Sequence, residues 1–131
     1  MKKFILLIAI CLAAISVSAE TLTFRTTSYT FKSKSVYGWS DWSPFQLSDM
    51  TLTINLDTDI VTIYSPKRQV YKIYEYSGSY VDNDGEQSVV FRFRDQDGDY
   101  GTMRLMIRND GRSEIYIQFA NVVWVYTVVR K

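Results

Sequence analysis

The chain has no histidine and a single cysteine, Cys11, among its 131 residues. Without histidine it lacks the one side chain that ordinarily titrates near neutrality, and with it the usual general base and the commonest zinc or copper ligand. Cys11 lies inside an apolar run close to the start, so no thiol nucleophile or disulfide is expected in the body of the chain. Serines are plentiful, but none stands in Gly-x-Ser-x-Gly. A pair of carboxylates can hydrolyse glycosidic bonds on its own. The acids here sit almost entirely in turns, where solvation leaves a carboxyl with little to raise its pKa. These shortages point to a protein that is not an enzyme and has no cofactor and no metal.

Long apolar runs are missing too. The single run, Phe4 to Ala14, is shorter than the roughly 20 residues that a membrane-spanning helix requires. It follows Met1-Lys2-Lys3 and precedes Val17-Ser18-Ala19, the arrangement of a secretory signal peptide cleaved after Ala19. Residues 1–19 are therefore expected to be removed, leaving 20–131 as one domain with no transmembrane segment. Ile10 precedes Cys11 where a lipidation site needs a small residue, so Cys11 reads as part of the signal. Losing Lys2 and Lys3 from fifteen basic residues leaves thirteen against fourteen acidic ones, a net charge of −1. Such a balance gives no argument for nucleic acid as a partner. No asparagine begins an Asn-x-Ser/Thr sequon. The expectation is an exported protein, periplasmic or extracellular and bacterial, held together by its core alone.

What the chain does have is period-two alternation throughout. Thr21 to Thr26 forms a first strand, prolonged or bulged through Tyr29 and Phe31. Met50, Leu52, Ile54 and Leu56 alternate with polar residues, a half-buried strand with a clear inner face. Ile60–Tyr64 and the tyrosine-rich Gln69–Tyr76 follow, the latter with an ambiguous inner face, and Ser77 to Glu86 reads as a looser connection. Val89, Phe91 and Phe93 mark a fifth strand, Met103, Leu105 and Ile107 a sixth, and Ile115, Ile117 and Phe119 a seventh. Asn109-Asp110-Gly111 is a strong hairpin signal between the last two. Val122 to Val129, the eighth, is apolar on both faces. Eight short strands joined by tight turns describe an all-β antiparallel meander, closed as a barrel, with a two-sheet sandwich as the alternative. In such a meander the first connection shares an end with Ser65–Arg68, Asp95–Asp99 and Ala120-Asn121. The turns at Asp57–Asp59, Asp82–Glu86 and Asn109–Gly111 share the other.

In strand number and spacing the pattern resembles the small lipocalin-like up-and-down barrels. That resemblance implies a long first connection over an open end and an interior that takes a small apolar ligand. The family's first-strand Gly-x-Trp has no counterpart, since Gly38 and Trp39 are adjacent and follow the first strand. Pro44 and the lack of a helical period argue against the helical lid of fatty-acid-binding barrels.

The first connection holds two of the three tryptophans, in Tyr37-Gly38-Trp39-Ser40-Asp41-Trp42-Ser43-Pro44-Phe45. Tyr37, Trp39, Trp42 and Phe45 are the candidate ligand-binding residues, because planar aromatics stack on sugar rings or cover an apolar molecule. The rival reading has them folding inward to plug the barrel end. Arg92, Arg94, Arg104 and Arg108 share an outer face with Tyr116 beyond, a candidate anion or partner surface whose bland alternative is a solvated charge stripe. Asp82–Glu86 and Asp95–Asp99 lack the frame of a calcium loop and read as turns, with weak calcium binding as the alternative. The function expected is binding of a small apolar molecule or glycan at the aromatic-loop end. The alternative is a structural or protein-interaction module, an inhibitor or cell-envelope component.

Overall fold

The computed structural model describes residues 21–110 and 112–131. The expected signal peptide and Gly111 of the hairpin signal lie outside them. Among the described residues ten strands run in chain order: β1 (Thr21–Ser35), β2 (Gly38–Trp39), β3 (Gln46–Leu47), β4 (Thr51–Asn55), β5 (Ile60–Ile63), β6 (Gln69–Val81), β7 (Gln87–Asp95), β8 (Tyr100–Ile107), β9 (Ser113–Gln118) and β10 (Val122–Arg130). Among the described residues no helix is long and apolar enough to cross a membrane. Each long strand pairs antiparallel with its neighbour, and β1 pairs with β10 from Phe24–Arg130 to Ser33–Val122. That last pairing closes β1 and β4–β10 into an eight-stranded up-and-down barrel, and the sandwich alternative falls away. Closure satisfies the ladder groups that an open meander would leave unpaired.

Side chains fill the interior. Leu22, Phe24, Leu52, Ile63, Phe91 and Phe93 are among those at most 2% exposed, and burying each such side chain contributes about 1.5–3 kcal/mol. The inner faces expected for the strands at 50–56, 89–93, 103–107 and 115–119 are the ones observed. At the end toward Asp95–Asp99, the Phe93 ring meets Tyr71 and Phe119 edge-on, with centroids 5.0 and 5.3 Å away. Gly101 lies opposite Phe93 in the β7–β8 register and leaves room for that ring. The plug at this end is therefore Tyr71, Phe93 and Phe119.

Two strands run further than their alternation suggests. β1 continues to Ser35 through a bulge between Thr26 and Ser28. The bulge moves the inward side chains from Leu22 and Phe24 to Tyr29 and Phe31, whose rings pack on Trp124. β6 continues to Val81, so Ser79–Val81 are strand and not the looser connection expected there. Its register slips between Ile73 and Glu75 and again between Tyr76 and Gly78. Each slip reverses which side faces inward, which is why its inner face is not a plain alternation.

The ends are arranged as expected. Lys34 N donates to the Asn121 carbonyl, placing the first connection beside Ala120-Asn121. At the other end Asn109 donates to Glu86 Oε2 and, through Nδ2, to the Asp84 carbonyl.

Candidate functional site

The long first connection is the return arm of a hairpin. After turning at Ser35–Gly38 it runs back antiparallel to the upper half of β1, alongside the place where β4 has yet to begin. Ser40 N donates to Ser33 O, Ser43 N to Phe31 O and Ser48 N to Thr27 O. The short β2 and β3 are the regular pieces of this arm. Ser43 pins its middle: the Thr30 hydroxyl donates to the Ser43 carbonyl at 2.6 Å, and Phe31 N donates to Ser43 Oγ at 3.0 Å. Pro44 interrupts the arm and cannot donate to a neighbouring strand, which protects its outer edge.

The aromatics on this arm neither cap the barrel nor enter it. Past the bulge in β1, Thr30 and Lys32 face outward, and Trp42 and Phe45 fold onto the wall beside them. With Thr30, Glu114, Tyr116 and Val125 they line a cleft of about 270 Å³. Val125 is buried although it faces away from the core, and the cleft explains this. The Lys32 ammonium sits 4.6 Å from the Trp42 ring centroid and 5.4 Å from that of Trp39, a cation between two indoles. Trp39 and Trp42 keep 39% and 44% of their surface exposed, so both rings remain reachable. Tyr37 stands apart at the hairpin tip, almost fully exposed.

The far wall of the cleft comes from β9, with Arg104 of β8 beside its Tyr116. The Arg104 guanidinium lies 3.9 Å from the Tyr116 ring centroid and donates to the Tyr80 hydroxyl at 2.8 Å. That hydrogen bond pulls the Tyr80 phenol below its ordinary range. Burial, and then the Glu114 carboxylate, push the Tyr116 phenol up. The Tyr116 hydroxyl donates a long 3.4 Å bond to Glu114, which also pairs with Arg108 at 3.7 Å. The cleft thus offers aromatic rings, hydroxyls and a carboxylate acceptor, with the Arg104 and Arg108 guanidinium groups beside it at Tyr116 and Glu114.

The four arginines do share the outer face, but they divide between partners. Arg104 and Arg108 border the cleft through Tyr116 and Glu114. Arg92 pairs with Glu75 at 3.5 Å, and Arg94 lies over Tyr100 beside the Asp95–Asp99 turn. Thr30 and Val125 line the cleft and Lys32 meets its Trp42, and period-two reading passes over all three. The signal for them was the two-sided apolarity of Val122–Val129, since an outward Val125 needs a cover.

Larger recesses lie elsewhere on the surface, among them two of about 390 and 530 Å³. A recess of about 330 Å³ at the plugged end is lined by Tyr29, Met50, Ser65, Gln69, Trp124 and Tyr126. The carboxylates of Asp82, Asp84 and Glu86 lie within 4.8 Å of one another, with Asp82 Oδ1 already accepting from the Asp84 and Glu86 amides. Asp95 Oδ1 accepts from the Asp97 and Asp99 amides in the same way. Both are turns built on an aspartate side chain.

No protein-family model matches the chain, and neither a curated protein nor a solved structure matches it.

Proposed function

We propose that the chain is an exported, non-enzymatic protein that binds a glycan on the outer wall of its barrel. The observation that carries this reading is the cleft formed by Trp42, Phe45 and Tyr116 around Thr30 and Glu114. Flat rings stack on the apolar faces of pyranoses, while a carboxylate and a hydroxyl take the sugar's own hydroxyls. A packed interior supports the wall over the lumen as the place for a ligand. The absence of histidine supports binding without catalysis.

The test is a titration of intrinsic tryptophan emission, backed by calorimetry, against a panel of neutral and acidic oligosaccharides. Binding is expected to shift the emission. Trp42→Ala should weaken it roughly 10-fold or more, as loss of a central stacking ring costs above ~1 kcal/mol. Tyr74→Ser, on another part of the wall, should leave it unchanged. A panel with no response sinks the reading. Export predicts a mature chain beginning at Glu20, which intact-mass measurement of the secreted or periplasmic protein checks.

A second reading, a protein-interaction module, is favoured by Val36, Tyr37 and Leu47. All three are at least 94% exposed on the arm, and exposed apolar surface marks contact sites. It predicts silence to every glycan and loss of partner cross-linking in Val36→Ser/Tyr37→Ser.

A further inference from the structure

The aromatic arm and the arginine face are far apart in sequence, yet barrel closure makes them one surface. Thr30 is level with Val125, Val125 with Tyr116, and Tyr116 with Arg104, a single row across β1, β10, β9 and β8. The arm adds one more step beyond Thr30. At about 4.8 Å per strand, the strip from Trp42 to Arg104 spans roughly 19 Å. One sugar ring does not fill that length.

Charge along the strip is lopsided. Lys32 and Arg104 stand along it, while Arg108 is held between Glu114 and Asp110, at 3.7 and 3.5 Å. Among the described residues neither Lys32 nor Arg104 forms an ion pair with a carboxylate. Both sit instead over aromatic rings, Lys32 at Trp42 and Arg104 at Tyr116. Stacking keeps these cations in place without neutralising them. The Arg104 guanidinium gives Nη1 to the Tyr80 hydroxyl but keeps its full positive charge, which favours a carboxylate as the incoming group. A neutral sugar has no use for that uncompensated charge.

Resting on the glycan reading above, we propose that the ligand is an acidic oligosaccharide laid across the strands. Trp42, Phe45 and Tyr116 stack on its rings, and Lys32 and Arg104 meet its carboxylates. Alternating rings and cations also suit a single-stranded nucleic acid. Glu114 favours the sugar: its carboxylate accepts hydrogen bonds from sugar hydroxyls, and a DNA backbone offers it no such donors.

The experiment compares a galacturonic acid hexamer, a neutral glucose hexamer and a twelve-residue oligothymidylate against the full chain, by tryptophan emission and calorimetry. The acidic hexamer is expected to bind at least 10-fold more tightly than the neutral one. Raising salt from 50 to 500 mM should erase most of that preference, because exposed charge pairs are screened. Arg104→Gln should lower acidic-hexamer affinity 5- to 10-fold and neutral-hexamer affinity by less, so that the preference for the acidic hexamer shrinks. The salt dependence of the unaltered protein reads the same contact without any variant. Equal affinity for the two hexamers overturns the charge assignment while leaving glycan binding intact. Tighter binding of oligothymidylate overturns it in favour of nucleic acid. Silence to both hexamers overturns this proposal and the glycan reading together.

Discussion

Asp59 offers the sharpest test of how this fold handles a misplaced charge. It sits in the turn between β4 and β5 with φ at 59°, is 4% exposed, and buries Oδ1 without a hydrogen-bond partner. Burial raises its carboxyl above the ordinary 3.8, and Lys72 nearby offsets part of the rise. The sign follows from linkage. A folded-state pKa above the unfolded one means the fold binds the proton more tightly, so stability present below pH 3.8 is lost as pH rises through the folded value. Asp59→Asn removes the charge and keeps a side chain that tolerates positive φ. The backbone bonds from Asp59 N to Asn55 O and from Ile73 N to Asp59 O are untouched. The amide still leaves a polar atom underbonded, so the gain at pH 7 is about 1 kcal/mol, within the 1–3 kcal/mol cost of an unsatisfied buried group. For a domain of this size that is roughly 4 °C in melting temperature. Asp59→Ala also loses the charge but meets the left-handed penalty of about 1–2 kcal/mol, and should fall below the asparagine variant at every pH. Scanning calorimetry from pH 3 to pH 7 reads all three proteins. The asparagine advantage should be absent at pH 3 and full by pH 7. If the asparagine variant is less stable at pH 7, Lys72 is a true partner and the reasoning is wrong.

Gly101→Ala would bring a Cβ within 2.5 Å of both Phe93 Cζ and the Gln118 carbonyl oxygen. Phe93 cannot retreat, because Tyr71 and Phe119 hold its ring edges. We expect a loss of roughly 1–3 kcal/mol by overpacking, seen as a lower denaturation midpoint; an unchanged midpoint would mean the plug is loose. Lys32→Met removes a cation facing two indoles, at about 0.5–1 kcal/mol each for exposed pairs. It should red-shift tryptophan emission, and Lys32→Arg should restore it; unaltered emission in the methionine variant would show that the arm is held by Ser43 and its backbone bonds alone.

What the sequence conveyed and what it hid divide along one physical line. Alternation reports which residues share a face for as long as the pleat is unbroken. Val89–Phe93, Met103–Ile107 and Ile115–Phe119 were therefore readable, and so were the strand count and the grouping of turns at each end. A bulge costs little and leaves no mark in composition, yet it reverses every face beyond it. The one after Thr26 turns Thr30 and Lys32 outward and Tyr29 and Phe31 inward, and the outer wall of the cleft depends on that reversal. Whether Trp42 faced the lumen or the solvent was unreadable for the same reason, since its position follows β1 through backbone bonds from Ser40 and Ser43. Closure hid the rest. Lys32 and Arg104 are separated by most of the chain, and only the β1–β10 ladder makes them neighbours across two strands. One legible clue bridged the gap. An eighth strand apolar on both faces, in a barrel whose other strands show one apolar face, requires a cover on its outer side. The arm carrying Trp42 and Phe45 was the segment long and apolar enough to supply it.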